Sequence, residues 1–257
     1  VQLTGSALRV AVGKSPLSLT PSKNWVSAER AFISIPGIVH SVEKAEQARN
    51  IRWIKEMFVR VGPGDEVSFP TNNVEKSGNF ISAAPERKTA AAAAETACRT
   101  VFVRLQPNET RTQQFLFQEK EEWIPDAFQL QFDKNRDAYE KMNAIVYQRD
   151  NYKQESNNVT PKIAIEALPS IPEEKSIDWH GTPFTEAWKK TLELSGATIA
   201  EGTKSADIVI GAVFWTAFLR GGIQGAVWLV DSVRYLAETA QPLENAFKEF
   251  DRYASNI

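Results

Sequence analysis

The sequence predicts an α+β fold: a strand-rich antiparallel N-terminal part with short helices, followed by a mainly helical C-terminal part. Two observations lead to this prediction. Up to residue 170, short segments alternate apolar and polar residues, which places one face of a strand on a core and the other in water. Beyond residue 182, apolar residues recur at helical spacing. Two prolines and a charge run at residues 169–175 mark a connector, so we expect the two parts at residues 1–170 and 171–257.

Short strands and three helices make up the predicted first part. One helix spans residues 41–57 with Ser41 as its N-cap, and another spans residues 86–97, where five consecutive alanines favour a helix. A third helix, at residues 133–142, is capped by Asp133. The alternating pattern predicts strands at residues 8–12, 32–35, 58–61, 101–105, 115–117, 128–132 and 163–168.

The predicted second part opens with a helix from Pro183 to Ser195. Gly196 follows as its C-terminal stop, since glycine readily adopts the left-handed backbone that ends helices. A short strand is expected at residues 197–200, and Pro242 separates two closing helices at residues 222–239 and 242–254.

Residues 208–230 form a long apolar run in which Arg220 is the only charge. The run is about as long as a membrane span, which takes roughly 20 apolar residues. Gly221 and Gly222 split it into two pieces too short to span alone, so we favour a core strand at residues 207–215, a turn and a core helix. This interpretation places Arg220 in solvent at the turn. The alternative is a segment that meets lipid or a partner in a second state.

Three residues of this run are candidate binding residues: Trp215, Arg220 and Trp228. Indoles often anchor protein interfaces and membrane boundaries, because they join a large apolar body to a polar N–H. Core packing is the alternative role for both tryptophans.

Charge and cysteine content restrict the partners and the compartment. Lys and Arg total 30 against 32 Asp and Glu, a net charge of -2, so nucleic acid is not an expected partner. The single cysteine, Cys98, allows no intrachain disulfide and favours an intracellular, reducing compartment, although the sequence leaves the compartment open.

Recognisable motifs for metals, nucleotides and nucleophilic catalysis are missing from the sequence. Two histidines and one cysteine are too few for a zinc site of these ligands alone, and no H-E-x-x-H, C-x-x-C or EF-hand pattern occurs. Neither glycine-rich phosphate-binding motif is present, and no G-x-S-x-G elbow is found. We therefore predict no metal and no cofactor.

Asp178 and His180 form the one catalytic candidate pair. They lie two residues apart in a predicted loop, and histidine is the usual general base near neutral pH. A solvent-exposed loop histidine, or one that caps the next helix, is the alternative interpretation.

These observations predict a non-catalytic binding or self-assembling protein that acts at a membrane surface through oligomerisation. Its partner would be another protein, a second copy of the chain or a lipid surface. The alternative is a small-molecule-binding enzyme with a site at the junction near Asp178 and His180, so the sequence leaves open whether the protein is an enzyme. The position of His180 distinguishes the two: a pocket beside carboxylates favours the enzyme, and a solvated loop favours the binding protein.

Overall fold

The computed structural model describes residues 2–21, 23–117, 136–147, 160–168, 178–200, 206–239, 248 and 250. It confirms the α+β class, with antiparallel strands and short helices first and a long helix last. In chain order the elements are α1 (Leu3–Ala11), β1 (Val26–Phe32), β2 (Gly37–Glu43), α2 (Ala45–Arg49), β3 (Ile54–Val59), β4 (Glu66–Val67), β5 (Gly78–Ala84), α3 (Arg87–Thr100), β6 (Phe102–Leu105), α4 (Thr110–Phe117), α5 (Arg136–Glu140), β7 (Ile145–Tyr147), β8 (Ile163–Ile165), α6 (Phe184–Ser195), β9 (Thr198–Ile199), β10 (Ile208–Ile210) and α7 (Ala212–Thr239).

The first sheet has the order β1-β5-β3, is antiparallel throughout and packs against α3. The Ser82 hydroxyl on β5 donates to the Ala90 carbonyl on α3 at 2.6 Å. Phe80 and Ala84 lie on the same face of β5, because side chains alternate along a strand. The buried alanines of α3 have small side chains, so the helix lies close to the sheet.

The remaining strands among the described residues form two further sheets. One has the antiparallel order β4-β2-β6. The other has the order β7-β10-β8-β9 and is mixed: β10 runs antiparallel to β7 and parallel to β8, and β8 is parallel to β9. Since β7 and β8 precede residue 170 and β9 and β10 follow it, this sheet joins chain from both predicted parts.

Helix α7 forms the centre of the core. Ile208, Ile210, Val213, Phe214 and Leu229 are each 0% exposed, which confirms the interpretation of the apolar run as core. By length and composition α7 is able to cross a membrane, but 89% of its most apolar window is buried inside the protein, as in a core helix.

The turn expected within this run is a kink inside α7. Gly222 has φ 58° and ψ -149°, a conformation that is essentially restricted to glycine, so the helix continues on both sides at a changed angle. The strand expected at residues 207–215 ends at Ile210, and the helix begins at Ala212.

The expectation that Arg220 lies in solvent is wrong. The helix continues through this position inside the protein, so Arg220 is only 5% exposed. Its Nη2 donates to the Phe115 carbonyl at 3.2 Å, and its guanidinium carbon lies 5.7 Å from the centre of the Phe115 ring.

Four other predictions of local structure are wrong. Residues 8–11 belong to α1, and residues 115–117 end α4, because short apolar runs fit a helix as well as a strand. Of the strand expected at residues 32–35, only Phe32 lies in a strand, because the Ile33 and Ile35 N–H groups bond to side chains instead. Residues 41–57 do not form one helix. Lys44 has φ 58° and Trp53 has φ 79°, and such left-handed residues interrupt a helix, so only five residues of this range are α2.

Several predictions are confirmed. The helix at residues 86–97 is α3, the strand at 101–105 is β6, and the strand at 163–168 is β8 in its first three residues. The helix expected at 183–195 is α6, and Gly196 follows it with φ 65° as the left-handed cap. The strand predicted at residues 128–132 lies outside the described residues.

Candidate functional site

A cavity of about 40 Å³ lies where segments from both parts of the chain meet. Its volume has room for about three water molecules. The wall includes Asp178 and His180, as the enzyme alternative expects, together with groups from α3, α6 and α7: Arg99, Lys190, Gly222 and Gln224.

Asp178 shapes the loop that carries His180. Its Oδ1 accepts hydrogen bonds from the backbone N–H groups of His180 and Thr182, both at 2.9 Å. Gly181 completes the turn with φ 69°, and Arg99 donates from Nη1 to the Gly181 carbonyl at 2.8 Å. The carboxylate therefore holds the loop in shape, and Arg99 attaches the loop to the end of α3.

His180 is partly buried at the cavity with one ring nitrogen already engaged. Its Nε2 accepts a hydrogen bond from the Ile33 N–H at 3.3 Å, so the neutral ring carries its proton on Nδ1. Burial lowers the pKa of His180; Lys190 and Arg99 add to the effect, and Asp178 opposes it. A general base needs a free lone pair, so this arrangement favours His180 as a neutral hydrogen-bond donor.

Lys190 is a cavity group that sequence reasoning missed. Its ammonium donates to the Arg99 backbone carbonyl. Burial lowers the pKa of Lys190 to about 8, and repulsion from Lys44 adds to this effect. Asp178 and the exposed carboxylates Glu186 and Glu193 act in the opposite direction, because they stabilise the charged ammonium. The one sequence signal is its position on α6 between the buried residues Ala187 and Thr191.

Gln224 links the cavity wall to β6 and to the segment between β1 and β2. Its Oε1 accepts from the Ile35 N–H at 3.0 Å, and its Nε2 donates to the Ser34 hydroxyl and the Val103 carbonyl, both at 2.8 Å. These three hydrogen bonds fix the position of α7 relative to β6 and to that segment.

Trp215 and Trp228 lie in the core with Arg220 and do not line this cavity. The Trp215 indole donates to the Glu166 carbonyl at 2.9 Å, and the Trp228 indole donates to the Gln106 carbonyl at 2.8 Å. Both side chains are therefore satisfied inside the chain and inaccessible to a partner in this conformation. Their role as binding residues stays a prediction.

Cys98 also lines the cavity, but burial raises the pKa of its thiol to about 12. Only the thiolate is a strong nucleophile, so burial disfavours the reactive form of this cysteine. Within the part of the chain that the structure describes, no three His, Cys, Asp or Glu side chains are placed to hold a metal ion.

Residues 31–106 match the family model of L-amino acid ligase C-terminal domain 2. No curated protein matches the chain. Among solved structures, it is similar to the L-amino acid ligase from Bacillus licheniformis, with 10% identity, a TM-score of 0.35, and coverage of 41% of this chain and 27% of that one. It is also similar to phosphoribosylglycinamide synthetase from Anaerococcus prevotii, with 17% identity, a TM-score of 0.33, and coverage of 38% and 26%. The chain thus spans about a quarter of the length of each of these two proteins.

The family match overturns the prediction of a non-catalytic binding or self-assembling protein at a membrane surface, because the matched domain comes from a ligase. The physical cause of the error is the apolar run, whose length and tryptophans are also typical of an interaction segment but which is buried within the chain. The enzyme alternative agrees better with the match. The matched residues supply one wall of the cavity, including Ile33 and Arg99, and later residues supply the other.

Proposed function

We propose that this chain is part of an ATP-dependent ligase that joins the carboxyl group of one small molecule to the amine of another. The observation that carries the proposal is the match of residues 31–106 to a domain of L-amino acid ligase. Amino acids are therefore the first substrates to test.

The chemistry of such a reaction explains why a nucleotide is needed. Direct condensation of a carboxylate with an amine is unfavourable in water. In a ligase, a carboxylate oxygen attacks the γ-phosphorus of ATP and ADP leaves. The amine nitrogen then attacks the acyl carbon, and phosphate leaves. The cavity has a volume of about 40 Å³, so in this proposal it contacts one end of a substrate.

Asp178 and His180 remain site residues in this proposal, with positioning roles. Asp178 holds the loop through two backbone N–H groups, and His180 presents its Nδ1 proton while its Nε2 binds the chain at Ile33. Loss of the Asp178 carboxylate would release the loop and displace His180 from the cavity.

The test uses the whole natural polypeptide that carries this sequence. ATP is supplied with L-amino acids, singly and in pairs, while ADP and phosphate are measured and products are weighed by mass spectrometry. We expect ADP formation that depends on the amino acids and a product whose mass is the sum of both partners minus water. The absence of ADP formation and of such a product with every pair would refute the proposal.

A variant pair connects the activity with the loop. Asp178→Ala should lower the rate of product formation, while Lys189→Met, at an exposed position of α6, should not. Equal rates in the two variants would show that the loop at residues 178–182 has no part in the reaction.

A further inference from the structure

The cavity wall carries more positive than negative charge. Arg99 and Lys190 are cationic, His180 is held neutral by its contact with Ile33, and Asp178 is the carboxylate among the described lining residues. The Oδ1 atom of Asp178 is already engaged by two backbone N–H groups.

Other charged groups near Lys190 lie towards solvent. Glu193 pairs with Lys44 at 2.8 Å and its side chain is 62% exposed, and Glu186 is exposed on the first turn of α6. Water screens such exposed charges strongly, so they neutralise the cavity less than a buried carboxylate would.

Trp179 belongs to the cavity wall, and Phe69 holds its ring edge-on with centroids 5.0 Å apart. The indole N–H is buried and has no hydrogen-bond partner among the described residues. Because the ring lies in the wall, the signal of its N–H should respond to an anion in the cavity.

We infer that the cavity binds a single oxyanionic group, a carboxylate or a phosphate, held by Lys190 and Arg99. The volume of about 40 Å³ has room for one such group. The inference goes beyond the proposed function, because an anion can bind here whether or not the chain belongs to a ligase.

The experiment titrates the intact protein with inorganic phosphate and with acetate, at constant ionic strength and without ATP. The readout is the indole N–H signals of the seven tryptophans in nitrogen-15 NMR spectra, and Trp179→Phe identifies the signal of Trp179. We expect this signal to shift and saturate with at least one of the two anions. A response to phosphate alone assigns a phosphoryl ligand, and a response to acetate alone assigns a carboxylate.

Two lysine variants provide the specificity control. Lys190→Met keeps the length of the side chain without its charge and should weaken binding by about tenfold or more, as expected for loss of a charge-assisted hydrogen bond. Lys189→Met removes a neighbouring exposed charge from the same helix and should leave the affinity unchanged. Melting temperatures verify that both variants fold. If Lys190→Met does not fold, Arg99→Gln serves as the second test. It should also weaken anion binding, as measured by calorimetry.

Three results would overturn the inference. One is that neither anion produces a saturable shift, which would mean that only water occupies the cavity. Another is that the folded Lys190→Met and Lys189→Met proteins bind equally well. The third is that Arg99→Gln binds both anions as tightly as the unmodified protein does.

Discussion

Arg104 connects the segment at residues 31–106 to helices α6 and α7, and its removal should destabilise the whole fold. On β6, its Nε donates to Glu43 at 2.6 Å, its Nη1 pairs with Asp231 of α7, and its Nη2 donates to the Leu194 carbonyl of α6 at 2.9 Å. The side chains of Arg104 and Asp231 are only 18% and 14% exposed. Burial raises the pKa of the Asp231 carboxyl, and the charge of Arg104 opposes this rise.

The variant Arg104→Met leaves Asp231 buried with less compensation. Breaking a fully buried ion pair costs about 3–5 kcal/mol. Arg234 still binds Asp231 at 3.2 Å, and the pair is slightly exposed, so we expect a loss of roughly 2–4 kcal/mol in the free energy of unfolding.

Equilibrium unfolding in urea measures this loss. Arg30→Met is the matched control, because the Arg30–Glu95 pair is 47% and 42% exposed and should change the stability by less than about 0.5 kcal/mol. A loss of under about 1 kcal/mol in Arg104→Met, or an equal loss in both variants, would refute the reasoning from burial.

Three further predictions concern single residues. For Lys190, whose pKa falls from 10.5 to about 8 on folding, the folded state releases its proton at lower pH than the unfolded state. The free energy of unfolding should therefore rise between about pH 8 and pH 10, and this rise should be smaller in Lys190→Met. Urea unfolding at both pH values measures the rise, and an equal rise in the variant and the unmodified protein would contradict the prediction. Gly222→Ala should lower the free energy of unfolding by about 1–3 kcal/mol, because φ 58° with ψ -149° strains any residue that has a Cβ. A melting temperature equal to that of the unmodified protein would argue against the kink at this position. Burial raises the pKa of the Cys98 thiol to about 12, so Cys98 should resist a thiol reagent in the folded protein and react fully in urea. Rapid labelling of Cys98 without urea would contradict its burial.

Local signals were sufficient to predict several elements. The alanine-rich segment forms α3, and Gly196 ends α6 in the left-handed conformation that the sequence pattern indicates. The split apolar run of residues 208–230 predicts core, and its burial agrees with that prediction. These features depend on propensity, capping and hydrophobicity, which act over a few neighbouring residues.

Other elements depended on contacts that are distant in the sequence. Residues 41–57 alternate charged and apolar side chains at nearly helical spacing, but β2 pairs with β6 and β3 pairs with β5, and these sheets outweigh the helical preference. Phe115 and Phe117 belong to α4, whose packing on α7 surrounds these rings with core.

The α+β class, the core character of the apolar run and the loop that holds Asp178 and His180 follow from local sequence patterns. Which groups share the cavity depends on the folded chain, because Arg99, Lys190 and Gln224 come from three helices that are distant along the chain. The folded chain also sets how those groups behave. The pKa of Lys190 is lowered by burial, and His180 Nε2 is occupied by the Ile33 N–H. The spacing of neighbouring residues predicts neither the burial of a side chain nor a contact between residues that are distant in the sequence.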